Sequence, residues 1–470
     1  MAINFPEIPE PPKEKKKIGR KVLGLILVIW IANSLFSSNM FESVSPTIEI
    51  EEAEFWNMKD PIKLKIKDNI GIKSYKITID KGVGDLETFA EGTFEDSNIT
   101  ELDFNITIKK GRFKSSYTNI FVEVEDTSLA NWFSGNVAKM QSSVTVDKIP
   151  PKVYMISNSY GIRRAGSAVV VFGVEEDNVD EIYIETESGV KFKPQPFLNK
   201  GGKVKNYISL VAWPIKDEKF SAFIVAKDKA GNRSSQYLSL YLKEKNYKRS
   251  NINLKTSFLT GKIKQLVNQY DQQAGYIDSP AEHFRIVNEE IRKENETLIY
   301  DFASKIDQDI VVSEFNIKPF TPLKGSRSVA SFGDHRHYYY NGNLISQSMH
   351  MGLDMASIAR APIITSNGGT VIDTSDKGIY GNSPIIDHGL GLTSIYAHCS
   401  SIRVNVGDKV QAGSIIANSG KSGLALGDHL HFGIYVQGVP VRPEEWMDDD
   451  WIKDNITDII ATAKQMIERQ

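Results

Sequence analysis

The chain has 470 residues, 41% hydrophobic and 24% charged, an ordinary globular composition spread over a length that excludes one compact core, so two to four domains are expected. A net charge of −3 at pH 7 gives no electrostatic reason to expect nucleic acid as a partner. The single cysteine, Cys399, excludes an internal disulfide, and pairing therefore says nothing about redox compartment.

Residues 1–21 begin Pro-rich and polar and turn basic at Lys13, Lys15, Lys16, Lys17, Arg20 and Lys21. An uncharged, mostly apolar run follows over 22–36, containing V-L-G-L-I-L-V-I-W-I-A. It is shorter than the ~20 residues that usually span hydrocarbon. Ile18 and Gly19, with Arg20 and Lys21 snorkelling to the headgroups, supply the missing turn. Basic residues on this flank place the N-terminal end in the cytoplasm and the rest outside. The expectation is a cytoplasmic basic segment (1–21) and a single-pass anchor (22–36) in a bacterial cytoplasmic (inner) membrane. The remainder would lie in the periplasm or another extracytoplasmic space. A cleaved signal peptide, with Ala32 and Ser34 near the cut, is the rival reading. The long N-terminal region and poor cleavage motif favour an uncleaved anchor, and the basic flank disfavours a buried core helix.

From residue 45 to about 245 the pattern changes to short alternating runs that read as half-buried strands: I-K-L-K-I-K (62–67), S-Y-K-I-T-I (74–79), N-I-F-V-E-V (119–124) and S-A-F-I-V-A (221–226). The segment repeats itself. K-D-N-I at 67–70 recurs as E-D-N-V at 176–179, and E-D-T-S-L-A-N at 125–131 recurs as K-D-K-A-G-N at 227–232, offsets of 109 and 102 residues. Two tandem β-sandwich domains, 45–148 and 149–245, follow. Their Asp-Asn turns resemble those of bacterial immunoglobulin-like domains, which implies spacers or modules that bind envelope proteins. Calcium ligation by these Asp-Asn pairs is the alternative to turn chemistry, which accounts for them as well.

Residues 246–310 are helical in character. S-P-A-E at 279–282 is a capping box, with Ser279 as cap and Glu282 reaching back. Phe284, Val287, Ile291 and Leu298 then lie along one face. An earlier helix over 256–272 carries Phe258, Ile263, Leu266 and Tyr270. The plain role of this hairpin is a linker, and the sharper one is a lid over a neighbouring groove.

The last large domain, 311–446, holds most of the chemistry. Of the eight histidines in the chain, five fall within 349–432, and four of those lie in three short blocks: H-M-G-L-D (350–354), Y-A-H (396–398) and G-D-H-L-H-F (427–432). Imidazole nitrogen and carboxylate oxygen are zinc donors, and catalytic zinc takes three protein ligands and keeps a fourth position open. On a strand, His429 and His431 point to the same face, because side chains alternate with period two. Taken singly each histidine reads as an ordinary core or surface residue, but as a set they do not.

The segments H-M-G-L-D, I-Y-A-H and G-D-H-L-H-F-G-I resemble the three signature blocks of the lysostaphin-type (LytM-like) zinc metalloendopeptidases, over roughly 326–443, in matching order and spacing. The resemblance implies an all-β peptidase domain, zinc held by His350, Asp354 and His431, and catalysis assisted by His398 and His429. The division of labour between those two is not assigned. It also implies peptidoglycan stem peptides as substrate. Some relatives of this fold lose these residues and act as activators, but here all five are present. A non-catalytic or self-inhibited module that binds the wall or activates another hydrolase is the alternative function, and a structural subunit of an envelope complex is a third. Cys399 stands where relatives carry Leu, either as a small core residue or as a fourth thiolate ligand. His335 and His337 belong to H-R-H-Y-Y-Y-N-G-N (335–343), read as a hairpin around an Asn-Gly turn and left out of the site. His388 lies in a D-H-G hairpin without a catalytic role. N-V-G-D-K-V-Q-A-G-S-I-I (405–416) is a turn-strand-turn pattern also seen in lipoyl and biotin carrier domains, a reading set aside because the segment offers no convincing lysine for modification on a tight hairpin. After residue 446 an acidic stretch leads to an amphipathic helix (447–470), with Ile452, Ile459, Ile460, Ala463 and Met466 apolar, that docks either on the protein or on a partner. The fold expected is therefore mainly β: a membrane helix, two sandwiches, a helical linker and a C-terminal all-β peptidase domain.

Overall fold

The computed structural model describes residues 18–36, 39–82, 84–95, 98–108, 115–198 and 203–469, so the lysines at 13–17 lie outside the described residues. The fold is mainly β, and the chain divides into two compact units, one formed by 1–149 with 229–232 and one by 150–228 with 233–470.

The apolar N-terminal run lies in a helix, Ile18–Phe36. Among the described residues no helix is long and apolar enough to cross a membrane, so a spanning segment is not seen where the sequence pattern points to one.

In the first unit a three-stranded and a five-stranded sheet enclose one core that includes Trp56, Ile72, Ile77 and Val124. Strand Ile62–Lys67 shows why: Ile62, Leu64 and Ile66 are buried, while the lysines between them face outward. Its Asp residues build turns. Asp68 Oδ2 accepts from the Ile70 and Gly71 amides at 2.9 and 2.7 Å. Both oxygens of the fully buried Asp126 are taken, by the Ser128 and Asn136 amides and by Asn136 Nδ2.

The second unit begins with two four-stranded sheets. Strand Ser167–Glu175 is buried on both faces, which needs cover on two sides. Phe172, Phe192 and Trp213 share a continuous core with Phe320, Phe432 and Trp446, so this sandwich is fused to the C-terminal domain. Trp446 Nε1 donates to Ser167 Oγ at 3.0 Å, and Gln437 exchanges two hydrogen bonds with the backbone of Lys193. The terminal helix Asp458–Glu468 closes this core with Ile460 and Ala463, against Lys152–Asn158 and Ser167–Glu175. Of the two docking choices left open by its sequence, it takes its own chain.

The helical hairpin forms, with Ser279 Oγ accepting from the Glu282 amide at 3.3 Å. The capping box is half made, because the Glu282 carboxylate turns instead to Arg285, at 2.9 and 2.7 Å. Leu298 is exposed and Ile299 and Ala303 are buried in its place. Residues Ile286–Ile291 form a wide turn between the two regular helical stretches.

The largest sheet runs in the order Arg327–Ala330, Leu353–Ala356, Leu430–Val436, Leu392–Ala397, Ile385–Asp387, Gly369–Asp373 and Lys409–Val410. Leu430–Val436 and Leu392–Ala397 are wholly buried, as central strands covered on both faces must be. A separate hairpin, His335–Tyr340 with Asn343–Met349, turns at Asn341 and Gly342, both with positive φ, the primed geometry that Asn-Gly favours.

Candidate active site

Strand register assembles the site. Leu430–Val436 lies between Leu353–Ala356 and Leu392–Ala397, and its His431 stands opposite Asp354 on one side and Ala397 on the other. His350 enters from the turn before Leu353–Ala356, and His398 follows Ala397 directly. Three donor atoms meet: His350 Nε2 to Asp354 Oδ1 at 2.9 Å, His431 Nδ1 to Asp354 Oδ1 at 2.9 Å, and His350 Nε2 to His431 Nδ1 at 3.0 Å. Donors that each sit 2.0–2.2 Å from one cation lie roughly 3 Å apart, so these residues fit a small metal ion. All three are buried.

Second partners fix which nitrogen each histidine presents. His350 Nδ1 donates to the Ser331 carbonyl at 2.9 Å, which leaves the Nε2 lone pair for the metal position. His398 Nδ1 donates to the Ser422 carbonyl and His429 Nδ1 to that of Gly427, each at 2.8 Å, so both keep a free lone pair on Nε2. The two rings lie 4.8 Å apart, and His429 Nε2 is 3.8 Å from Asp354 Oδ1. His398 holds a positive φ of 64°, unusual outside glycine. Burial, with the neighbouring histidines, pushes His398 down to about 3, and burial pushes His431 down to about 4, so both are neutral near pH 7. Burial opposes ionisation of Asp354, but the bonds from His350 and His431 prevail and hold it well below the usual carboxylate range.

The five residues line one cleft of about 430 Å³. The helical hairpin supplies its far wall through Phe258, Phe284 and Arg292. The wall is packed into the domain, with Leu259, Val287 and Ile291 in one core with Ile385, Ile395 and Tyr435. Asn288 Nδ2 also donates to Ser346 Oγ at 2.8 Å. A hinged lid would need a separable surface, and this one is buried.

His335 and His337 pack against each other with tilted rings and stay outside the ligand group. Cys399 also stays outside it. Its thiol is buried, pushed up to about 12 by burial, and donates to the Tyr396 carbonyl at 3.1 Å, which makes it a core residue. Sequence reasoning missed three neighbours. A Cβ on Gly352 would lie 2.4 Å from His431 Nε2, so the glycine in H-M-G-L-D makes room for the ligand ring. Tyr380 packs its ring 5.3 Å from that of His431, and Arg336 Nη2 lies 3.6 Å from Asp354 Oδ2. The glycine had a signal in its motif, whereas the other two are joined only by folding.

His388 is structural. Its Nδ1 donates to the Gly368 carbonyl at 2.8 Å, its Nε2 accepts from Ser394 Oγ at 2.7 Å, and burial pushes it down to about 4. Below pH 6.5 the unfolded chain takes up a proton that the folded one refuses until about 4, so stability falls as pH falls through that window. Between pH 7.5 and pH 5 the wild type should lose about 2 kcal/mol more than His388→Gln. Thermal unfolding of both at the two pH values measures it, and equal losses would remove the assignment.

Comparison with known proteins assigns a family to the C-terminal part of the chain. Residues 348–443 match the model of peptidase family M23, so the C-terminal part of the chain is a peptidase M23 (LytM/lysostaphin-type) domain, of a metallopeptidase family. Among curated proteins, DD-carboxypeptidase/endopeptidase Mpg of Neisseria meningitidis serogroup B is 33% identical over 129 residues, 27% of this chain and 28% of that one. Peptidoglycan DD-endopeptidase ShyA of Vibrio cholerae is 39% identical over 93 residues, 20% of this chain and 22% of its own. The matches thus span less than a third of those relatives' length. Among solved structures, the catalytic domain of lysostaphin from Staphylococcus simulans is 27% identical, with a TM-score of 0.23, covering 27% of this chain and 94% of that one.

Proposed function

We propose that the chain is a zinc-dependent endopeptidase that hydrolyses peptide cross-links of bacterial peptidoglycan in cell-wall remodelling. The observation that carries this reading is the meeting of His350, Asp354 and His431 at 2.9–3.0 Å beside two histidines with free Nε2 lone pairs. The names of the relatives supply the substrate class.

His350 Nε2, Asp354 Oδ1 and His431 Nδ1 would hold the ion. Two imidazoles and one carboxylate in a buried pocket are a donor set of catalytic zinc. When bound, zinc supplies a Lewis acid that polarises a carbonyl and makes water acidic enough to yield hydroxide near neutral pH. One of His398 and His429 would take the single proton released by the attacking water at Nε2 and pass it to the leaving amine, while the other, protonated at Nε2, would donate to the developing oxyanion, each role worth ~2–4 kcal/mol. The hairpin wall excludes bulk water from one side of the cleft. The N-terminal helix with its basic flank would attach the chain to the inner membrane with the peptidase outside the cytoplasm. The sandwiches, read as immunoglobulin-like modules, would meet envelope partners.

The test pairs metal content of the full chain with release of fragments from purified peptidoglycan. One bound zinc and released peptide fragments are expected. Bound zinc without release would favour a self-inhibited or wall-binding module.

A further inference from the structure

We propose that Arg292, on the helical hairpin, receives a carboxylate of the substrate beside the metal position, so that the hairpin makes the enzyme select acidic peptides over neutral ones. The inference rests on the hydrolase reading for the identity of the peptide.

Arg292 lines the same cleft as the five site residues. Its orientation is set from one turn back on its own helix: Nε donates to the Asn288 carbonyl at 3.0 Å and Nη2 to Asn288 Oδ1 at 2.9 Å. Asn288 is 1% exposed and is itself tied to Ser346 and to the Gln347 carbonyl on the neighbouring strand. The guanidinium is therefore aimed in advance, which lowers the entropy lost on binding. Both of these acceptors are neutral, and among the described residues no carboxylate lies within 4.0 Å of it. Burial raises the carboxyl pKa of Glu296, one turn further on, against the opposing pull of the Arg292 charge, so Glu296 is a nearby counter-charge without being a contact partner.

The cleft's other arginine shows the contrast. Arg336 is committed to Asp334 and Asp354, at 3.5 and 3.6 Å. Arg292 keeps donors of its five-donor fork unspent, in a cleft walled by Phe258 and Phe284, where a charge-assisted bond is stronger than in open water. A partly buried cation with no carboxylate in direct contact gains when an anion comes to it. A peptide carboxylate is the anion a peptidase cleft would meet, and it suits the planar fork in two-point contact.

The experiment measures binding, so that turnover does not enter. The probe is a cross-linked stem-peptide dimer released from purified peptidoglycan, compared with the same dimer after chemical amidation of its carboxylates. Each is titrated into the zinc-loaded His429→Ala chain with Arg292, Arg292→Gln or Arg292→Lys. Amidation is expected to weaken binding to the Arg292 protein roughly tenfold. In Arg292→Gln the unmodified dimer should bind about tenfold more weakly and amidation should make no difference, while Arg292→Lys recovers part of the preference. Equal affinity of the two dimers for the Arg292 protein, no binding of either, or an equal loss for both in Arg292→Gln would overturn the proposal. Zinc content and melting temperature of Arg292→Gln separate lost recognition from lost folding. An Arg292-dependent preference in a wild-type chain that releases nothing from peptidoglycan leaves carboxylate recognition standing and removes the hydrolase reading. Cleavage of both dimers with equal KM does the reverse.

Discussion

His429→Ala should keep its metal and lose peptidoglycan hydrolysis by about a hundredfold or more. The ring lies near the ligands without being one: its Nε2 is 3.8 Å from Asp354 Oδ1, while the three ligand atoms meet at 2.9–3.0 Å. Its Nδ1 is tied to the Gly427 carbonyl, so removing the ring takes away one proton acceptor and leaves the donors in place. Metal content by mass spectrometry and fragment release on the same preparation measure the two halves. Loss of zinc in this variant would make His429 a ligand, and near-normal release would leave the proton transfers to His398 alone.

His431→Ala should lose the metal itself, and hydrolysis with it. Two donors would remain of three, and the buried Asp354 carboxylate would lose one of the two bonds that hold its charge. The same loss is expected from a distance of one atom. In Gly352→Ala the new methyl falls 2.4 Å from His431 Nε2, closer than van der Waals contact, and the ring must move off the metal position. A Gly352→Ala chain with full zinc occupancy and full activity would show that the ring has room to retreat. A zinc-replete His431→Ala chain would sink the ligand assignment altogether.

How much of this was legible beforehand depends on how local the cause is. The alternation in Ile62–Lys67 and the Asn341-Gly342 turn follow from their own few residues. The cap at Ser279 is local too, but Glu282 had a choice of partners, and Arg285 lay close enough to win it. Leu298 went to solvent because Ile299 and Ala303 are the residues of that stretch that meet the core, a choice between neighbours that spacing alone does not reveal. The histidine blocks stood out as motifs, yet the tautomers that make them useful depend on carbonyls of Ser331, Ser422 and Gly427, which carry no side-chain signal.

The sequence by itself carried the class of the C-terminal domain, through the resemblance of its three histidine blocks to a known family, and it singled out five candidate residues that the fold brings into one cleft. Only the tertiary structure decided that the hairpin is a fixed wall, that the second sandwich and the terminal helix share the core around Trp446, and that Arg292 lines the same cleft as the candidate metal ligands. Those facts rest on contacts between residues far apart in the chain. Many apolar surfaces of similar shape and hydropathy were available to each, and which two meet is settled by the packing of the whole.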